Sequence, residues 1–191
     1  VAVLSAVLFN IEFKEYPSLI VKKVFDKIES LPAGSRVLIS FDYDPAMRPE
    51  VHPMANAFVR HCLAKGHKLL LMSLWGTGQA LMTETIDSVI KVEFPEVKYG
   101  VDYVALGYKA GNEGVLNVII TDFRKMYPTD AHGVSVDSLP LFRQIRSAKD
   151  MDLILPIGRK RLDDPIHCAG GGIGVQRTED QVTCFGGADC N

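Results

Sequence analysis

The chain alternates short apolar runs with amphipathic stretches. Segment 18–30, SLIVKKVFDKIES, places Leu19, Ile20, Val24 and Ile28 on one helical face, and Pro32 and Gly34 end it. RVLISFDYD opens with an unbroken apolar run from Val37 to Phe41, the pattern of a strand covered on both faces. A proline-bounded loop, PAMRPEVHP, follows. The spacing then predicts a helix over MANAFVRHCLAKG, with Met54, Ala57, Phe58 and Cys62 as its stripe and Gly66 as its stop. HKLLLMSL reads as a second strand and WGTG as a turn. QALMTETIDSVIKVEF is a second helix with Leu81, Ile86, Val89 and Ile90 inward. VDYVALGY is a third strand, KAGN a turn, and EGVLNVIITDFRKMY a third helix with Val115, Val118, Ile119 and Met126 inward. PTDAHGVSVD connects to a short helix, SLPLFRQIRSAKD, with Ser138 as its cap and Pro140 in its first turn. MDLILPIG is a fourth strand.

Strands and helices that alternate with short links predict a mainly parallel sheet covered on both faces. The expected fold class is therefore α/β: a Rossmann-like three-layer sandwich over residues 14–157, with a sheet of four to five strands. The ends differ from this rhythm. Within residues 1–13, VAVLSAVLF has one polar residue, Ser5. It reads either as a buried first strand or as the end of a truncated membrane anchor. Nine helical residues rise only about 13 Å, far less than a bilayer requires. Residues 158–191 hold seven of the 16 glycines and three of the four cysteines. They show no clear period and read as an irregular tail. Cys168, Cys184 and Cys190 form no CxxC pair, so a structural zinc site has poor support. Cys62, on an amphipathic helix, reads as a small core residue.

Composition narrows the function. The 191 residues are 47% hydrophobic and 23% charged, with 21 Lys+Arg against 23 Asp+Glu and a net charge of −2. No basic excess exists to drive counterion release, which argues against nucleic acid as a partner.

In open parallel sheets, ligands bind outside the carboxyl ends of the strands. Asp42 and Asp44 end the first strand, and alternate residues of an extended segment point the same way. Two carboxylates there suit a hard cation such as Mg²⁺, or acid/base work. Glu50 and His52 reach the same mouth from the start of the next helix. Ser73, Trp75 and Thr77 follow the second strand, and Tyr108, Lys109 and Asn112 follow the third. WGTG and GYKAGNEG put glycines before helix starts, where backbone N–H groups approach anions. Lys109 adds a cation, and Trp75 and Tyr108 add flat faces. Neither loop matches a nucleotide-binding fingerprint, and there is no GxSxG elbow. Asp130 and His132 read as a turn.

The run FDYDPAMRPEVHPM, with YGVDYVALGYKAGNEG and TDAHGV, resembles a family of uncharacterised bacterial proteins in which a membrane helix precedes an α/β domain. The resemblance covers about residues 17–155. It implies that VAVLSAVLF is the end of an anchor lying mostly upstream of Val1. A second, weaker resemblance is to haloacid-dehalogenase-type phosphatases. It implies Asp42 as nucleophile, Asp44 as acid/base, Ser73 as phosphate binder and Lys109 as the lysine. Pro45 and Ala46 depart from the glycine and threonine usual there. The expected function is a membrane-associated domain binding a small molecule or a membrane-protein partner at the strand ends. A Mg²⁺-dependent, phosphatase-like hydrolase and a non-catalytic scaffold of a membrane complex are the alternatives.

Overall fold

The computed structural model describes residues 19–110, 113–158, 175–178 and 181–184. Four strands form the parallel part of one sheet: β1 (Arg36–Asp42), β2 (Lys68–Ser73), β3 (Tyr103–Tyr108) and β4 (Leu153–Gly158). Their spatial order is β3-β2-β1-β4. The first strand in sequence is thus central, with β2 and β3 on one side and β4 on the other. The alternating pattern explains the parallel direction: each crossover must return the chain to the same end of the sheet before the next parallel strand starts, and the one from β3 to β4 passes to the other side of β1. The α/β three-layer fold expected from that pattern is the fold observed.

One face is covered by α1 (Leu19–Ser30), α2 (Arg48–Ala64) and α3 (Gly78–Thr85). Val37, Ile39, Phe41 and Tyr43 point into it, against Val24 and Ile28 of α1, Phe58 and Cys62 of α2, and Leu81 of α3. The other face is covered by α4 (Glu113–Thr121), α5 (Phe123–Met126) and the segment 127–151. There Leu38, Leu70, Met72, Val104 and Leu106 meet Ile119, Phe123, Phe142 and Met151. Each such side chain, fully buried, contributes roughly 1.5–3 kcal/mol. Cys62 is wholly buried, as expected of a core residue, and burial pushes its thiol up to about 12.

Several boundaries differ from the sequence reading, each for a local reason. The helix expected from Met54 starts at Arg48. Asp44 Oδ1 accepts from Ala46 N–H at 2.9 Å and Met47 N–H at 3.2 Å, closing a 3₁₀ turn (Pro45–Met47) that runs directly into α2. Two prolines then lie within the helix, Pro49 in its first turn and Pro53 on its exposed side. The buried stripe is Ala55, Phe58, Val59, Cys62 and Leu63, rotated from the expected one so that Ala57 is exposed.

The third helix is cut at Asp122. That residue is extended, and its carboxylate accepts from Arg124 N–H at 2.9 Å, capping a new helix. SLPLFRQIRSAKD is not an α-helix. Pro140 and Ser147 each start a new turn, giving 3₁₀ turns at Val136–Ser138, Pro140–Gln144 and Ala148–Asp150, the last with a capping box from Ser147. In the tail, Val175–Thr178 (β5) and Gln181–Cys184 (β6) pair antiparallel beside β4, so the expectation of an irregular tail is corrected at these eight residues. The edge of β4 away from β1 offers the backbone groups that such a strand needs. Residues 1–13 lie outside the described residues.

Candidate functional site

The carboxyl ends of β1, β2 and β3 come together as the topology requires, but the residues there fall into two sets. Successive residues of an extended strand face opposite sides of the sheet. Asp42 faces the side of α4 and α5, whereas its neighbour Tyr43 faces the side of α2 and α3.

On the first side, Asp42 is 8% exposed. Its Oδ2 accepts from Ser40 Oγ at 2.5 Å and its Oδ1 from Leu74 N–H at 2.8 Å. The second bond ties the end of β1 to the residue following β2, while the first lies within β1. Tyr127, just past α5, is wholly buried, and among the described residues its hydroxyl has no hydrogen-bond partner. Burial pushes its phenol well above the ordinary range, and the charge of Asp42 pushes it further. The Lys109 ammonium lies over the Tyr127 ring, 5.8 Å from its centroid. Three groups with complementary chemistry therefore converge: an acceptor, an uncommitted hydroxyl and a cation.

The rim beside them is built from the two glycine loops. Lys109 N–H donates to the Ser73 carbonyl at 3.0 Å, and Tyr108 N–H donates to Gln79 Oε1 at 3.2 Å. The Tyr108 ring lies against Gly76, where an added Cβ would be 3.7 Å from its nearest atom. Trp75 is half-buried, Thr77 exposed and Tyr108 exposed. Of the expected set, the structure brings Asp42 and Lys109 to Tyr127 and lays Tyr108 against Gly76, with Trp75 between Ser73 and that glycine along the chain.

Other expected residues serve different ends. Ser73 is fully buried, and its hydroxyl bridges the carbonyls of Phe41 (2.7 Å) and Trp75 (2.6 Å). A buried hydroxyl must satisfy its hydrogen bond, and here it does so by clamping two strands' ends rather than facing a ligand. Asp44 spends its carboxylate on the 3₁₀ turn. Glu50 is exposed in the first turn of α2. Asn112 lies outside the described residues. Asp42 and Asp44 carry out separate hydrogen-bonding tasks, and among the described residues no group of three or more His, Cys, Asp or Glu side chains could hold a metal.

His52 belongs to the second set. Tyr43 Oη and His52 Nδ1 are 2.8 Å apart, both residues buried. His52 Nε2 stands 3.8 Å from Glu84 Oε1 on α3, and the same oxygen is ion-paired with Arg48 on α2. Burial lowers the His52 pKa; Glu84 opposes that and Arg48 adds to it. Burial also raises the Tyr43 phenol, with Glu84 adding to the rise. Asp130 forms the expected turn: Oδ1 accepts from His132 and Val134 N–H, and Oδ2 from Tyr99 Oη at 2.5 Å.

Sequence reasoning missed Tyr127, Tyr43, Glu84 and Arg48. Tyr127 carried one signal, an aromatic residue closing an amphipathic segment before Pro128. The other three carried none, because their partners are set by how α2 and α3 pack. Among the described residues no helix is long and apolar enough to cross a membrane. Compared with family models, curated proteins and solved structures, the chain matches none of them.

Proposed function

We propose that this protein is a ligand-binding α/β domain that takes a small anionic molecule at the carboxyl ends of β1 and β3. The observation that carries this reading is the buried Tyr127 hydroxyl, unpartnered among the described residues, beside Asp42 and under the Lys109 ammonium. An orphaned buried hydroxyl costs roughly 1–3 kcal/mol, a cost that a ligand oxygen accepting from it relieves. Lys109 supplies the opposite charge, and the exposed Tyr108 ring a flat side wall. A metal-dependent hydrolase has less support, since the aspartates meant to hold the ion are otherwise engaged.

The test is a thermal melt of the whole chain in millimolar inorganic phosphate, acetate and a sugar phosphate. A ligand at 100 times its Kd stabilises by about 2.7 kcal/mol. The expected result is a rise in Tm with at least one anion that is lost in Lys109→Ala and reduced in Tyr127→Phe. No rise with any of them, or the same rise in all three proteins, overturns the reading and leaves a scaffold domain.

Membrane tethering is the second part of the proposal. Its support is the resemblance of FDYDPAMRPEVHPM and YGVDYVALGYKAGNEG to tethered proteins, together with the apolar run Val1–Phe9. Fractionation of the full-length gene product tests it: release by detergent but not by high salt is expected, and release by salt alone refutes it.

A further inference from the structure

The Tyr43–His52–Glu84–Arg48 chain has no part in the ligand reading and lies on the opposite face of the sheet. It crosses from the end of β1, through the second turn of α2, to the last turn of α3. Its geometry is complete except at one point. The Nε2 atom of His52 is buried and lacks a hydrogen-bond partner among the described residues, yet Glu84 Oε1 stands 3.8 Å away. That distance is too long for a direct hydrogen bond. Glu84 Oε1 is also the atom that Arg48 holds, so two cations can address one acceptor.

We propose that His52 is an acid-operated latch between α2 and α3: on taking up a solvent proton, its Nε2–H closes the gap to Glu84 Oε1 and competes with Arg48 for that oxygen. The proton balance is simple. The neutral ring carries one proton, on Nδ1 or on Nε2, and its other nitrogen can only accept. The second proton makes both nitrogens donors. Nδ1–H then donates to Tyr43 Oη, which becomes the acceptor, and Nε2–H donates to the Glu84 carboxylate as a charge-assisted bond. The charged and titratable groups that face His52 are Tyr43 from β1, Glu84 from α3 and Arg48 from its own helix.

The backbone beside the latch departs from regular α-helical geometry. Immediately after Glu84 and Thr85, residues Ile86–Ile90 form a π-helical turn before the helix resumes at Lys91–Glu93. Such turns interrupt the regular ladder and recur at functional positions. A switch needs a local charge change and an element that can respond to it, and both lie here within one helix. The start of α3 is fixed against β1, and its preceding loop lines the ligand rim, so a shift of α3 would be felt there.

Proton NMR of the histidine ring signals tests the latch, with the His52 signal among the five histidines assigned by its loss in His52→Gln. In the wild type the backbone amides of Ile86–Ile90 should shift with the same midpoint as the His52 ring. Glu84→Gln should move the His52 midpoint to lower pH and abolish the linked amide shifts. Arg48→Gln, which removes the competitor, should move it to higher pH. An identical His52 midpoint in wild type and Glu84→Gln overturns the proposal, as do amides of 86–90 that ignore the His52 titration. Glu84 and Arg48 are substantially exposed, so both variants are expected to fold; circular dichroism checks this, and Glu84→Asp serves if Glu84→Gln fails.

Discussion

The carbonyl oxygen of Phe41 occupies the space where a side chain on Gly78 would begin: a Cβ built there lies 1.9 Å from that oxygen and 2.5 Å from Ser73 Oγ. The first residue of α3 is thus docked directly on the end of β1, with Ser73 clamping the two strands beside it. Gly78→Ala must push the helix off the sheet. A loss of about 3 kcal/mol is expected, as for overpacked cores. Urea unfolding measures it, and a loss below about 1 kcal/mol would contradict so close an approach.

Tyr127→Phe removes a buried hydroxyl that has no partner among the described residues, while keeping the ring against Phe123 and its neighbours. Unlike most core substitutions, it should leave stability unchanged or raise it by about 1 kcal/mol without ligand. A fall of 2 kcal/mol or more, on the order of a lost buried hydrogen bond, would show that the hydroxyl is already bonded. Thermal melts of the unliganded protein decide.

The two aspartates read together from the sequence should behave differently. Asp44→Ala removes a cap from a 3₁₀ turn at the surface and should cost about 1 kcal/mol. Asp42→Ala leaves both the Leu74 N–H and the Ser40 hydroxyl without their acceptor in a buried site, and should cost about 3 kcal/mol. Equal losses in denaturant titrations would argue against the separate roles.

His52 and His67 are both buried, and burial lowers the pKa of each. The unfolded chain therefore binds these protons more readily than the folded one. Stability is complete above the unfolded histidine value, about 6.5, and declines as pH falls from there toward the lowered folded values. Urea midpoints at pH 7.5, 6.5 and 5.5 should decrease in that order. The decline should be shallower in His67→Gln; among the described residues the His67 ring makes one hydrogen bond, 3.3 Å to the Ile28 carbonyl. A midpoint that rises on acidification would refute the assignment.

The sheet was legible because its signal is local. Four apolar runs, each followed by an amphipathic stretch, point to a parallel α/β sandwich, whose helix layers bury both faces of Val37–Phe41 and Leu69–Met72. The same runs located the mouth, because ligand-side strand ends follow from chain direction. Asp42 at the end of β1, Trp75 after β2, and Tyr108 and Lys109 at the end of β3 were placed there in this way.

What the tertiary structure decided is which side of the sheet each residue serves and with what partner. Asp42 and Tyr43 are neighbours in sequence, yet the pleat sends one to Tyr127 and the other to His52. Asp44 looked like the partner of Asp42, but the backbone N–H groups of Ala46 and Met47 were nearer acceptor-seekers and took it. Partners such as Glu84 for His52 lie 32 residues apart and meet only because α2 and α3 pack on one face. Periodicity carries the burial of each element, whereas pairings between elements depend on packing distances that no single stretch of sequence encodes.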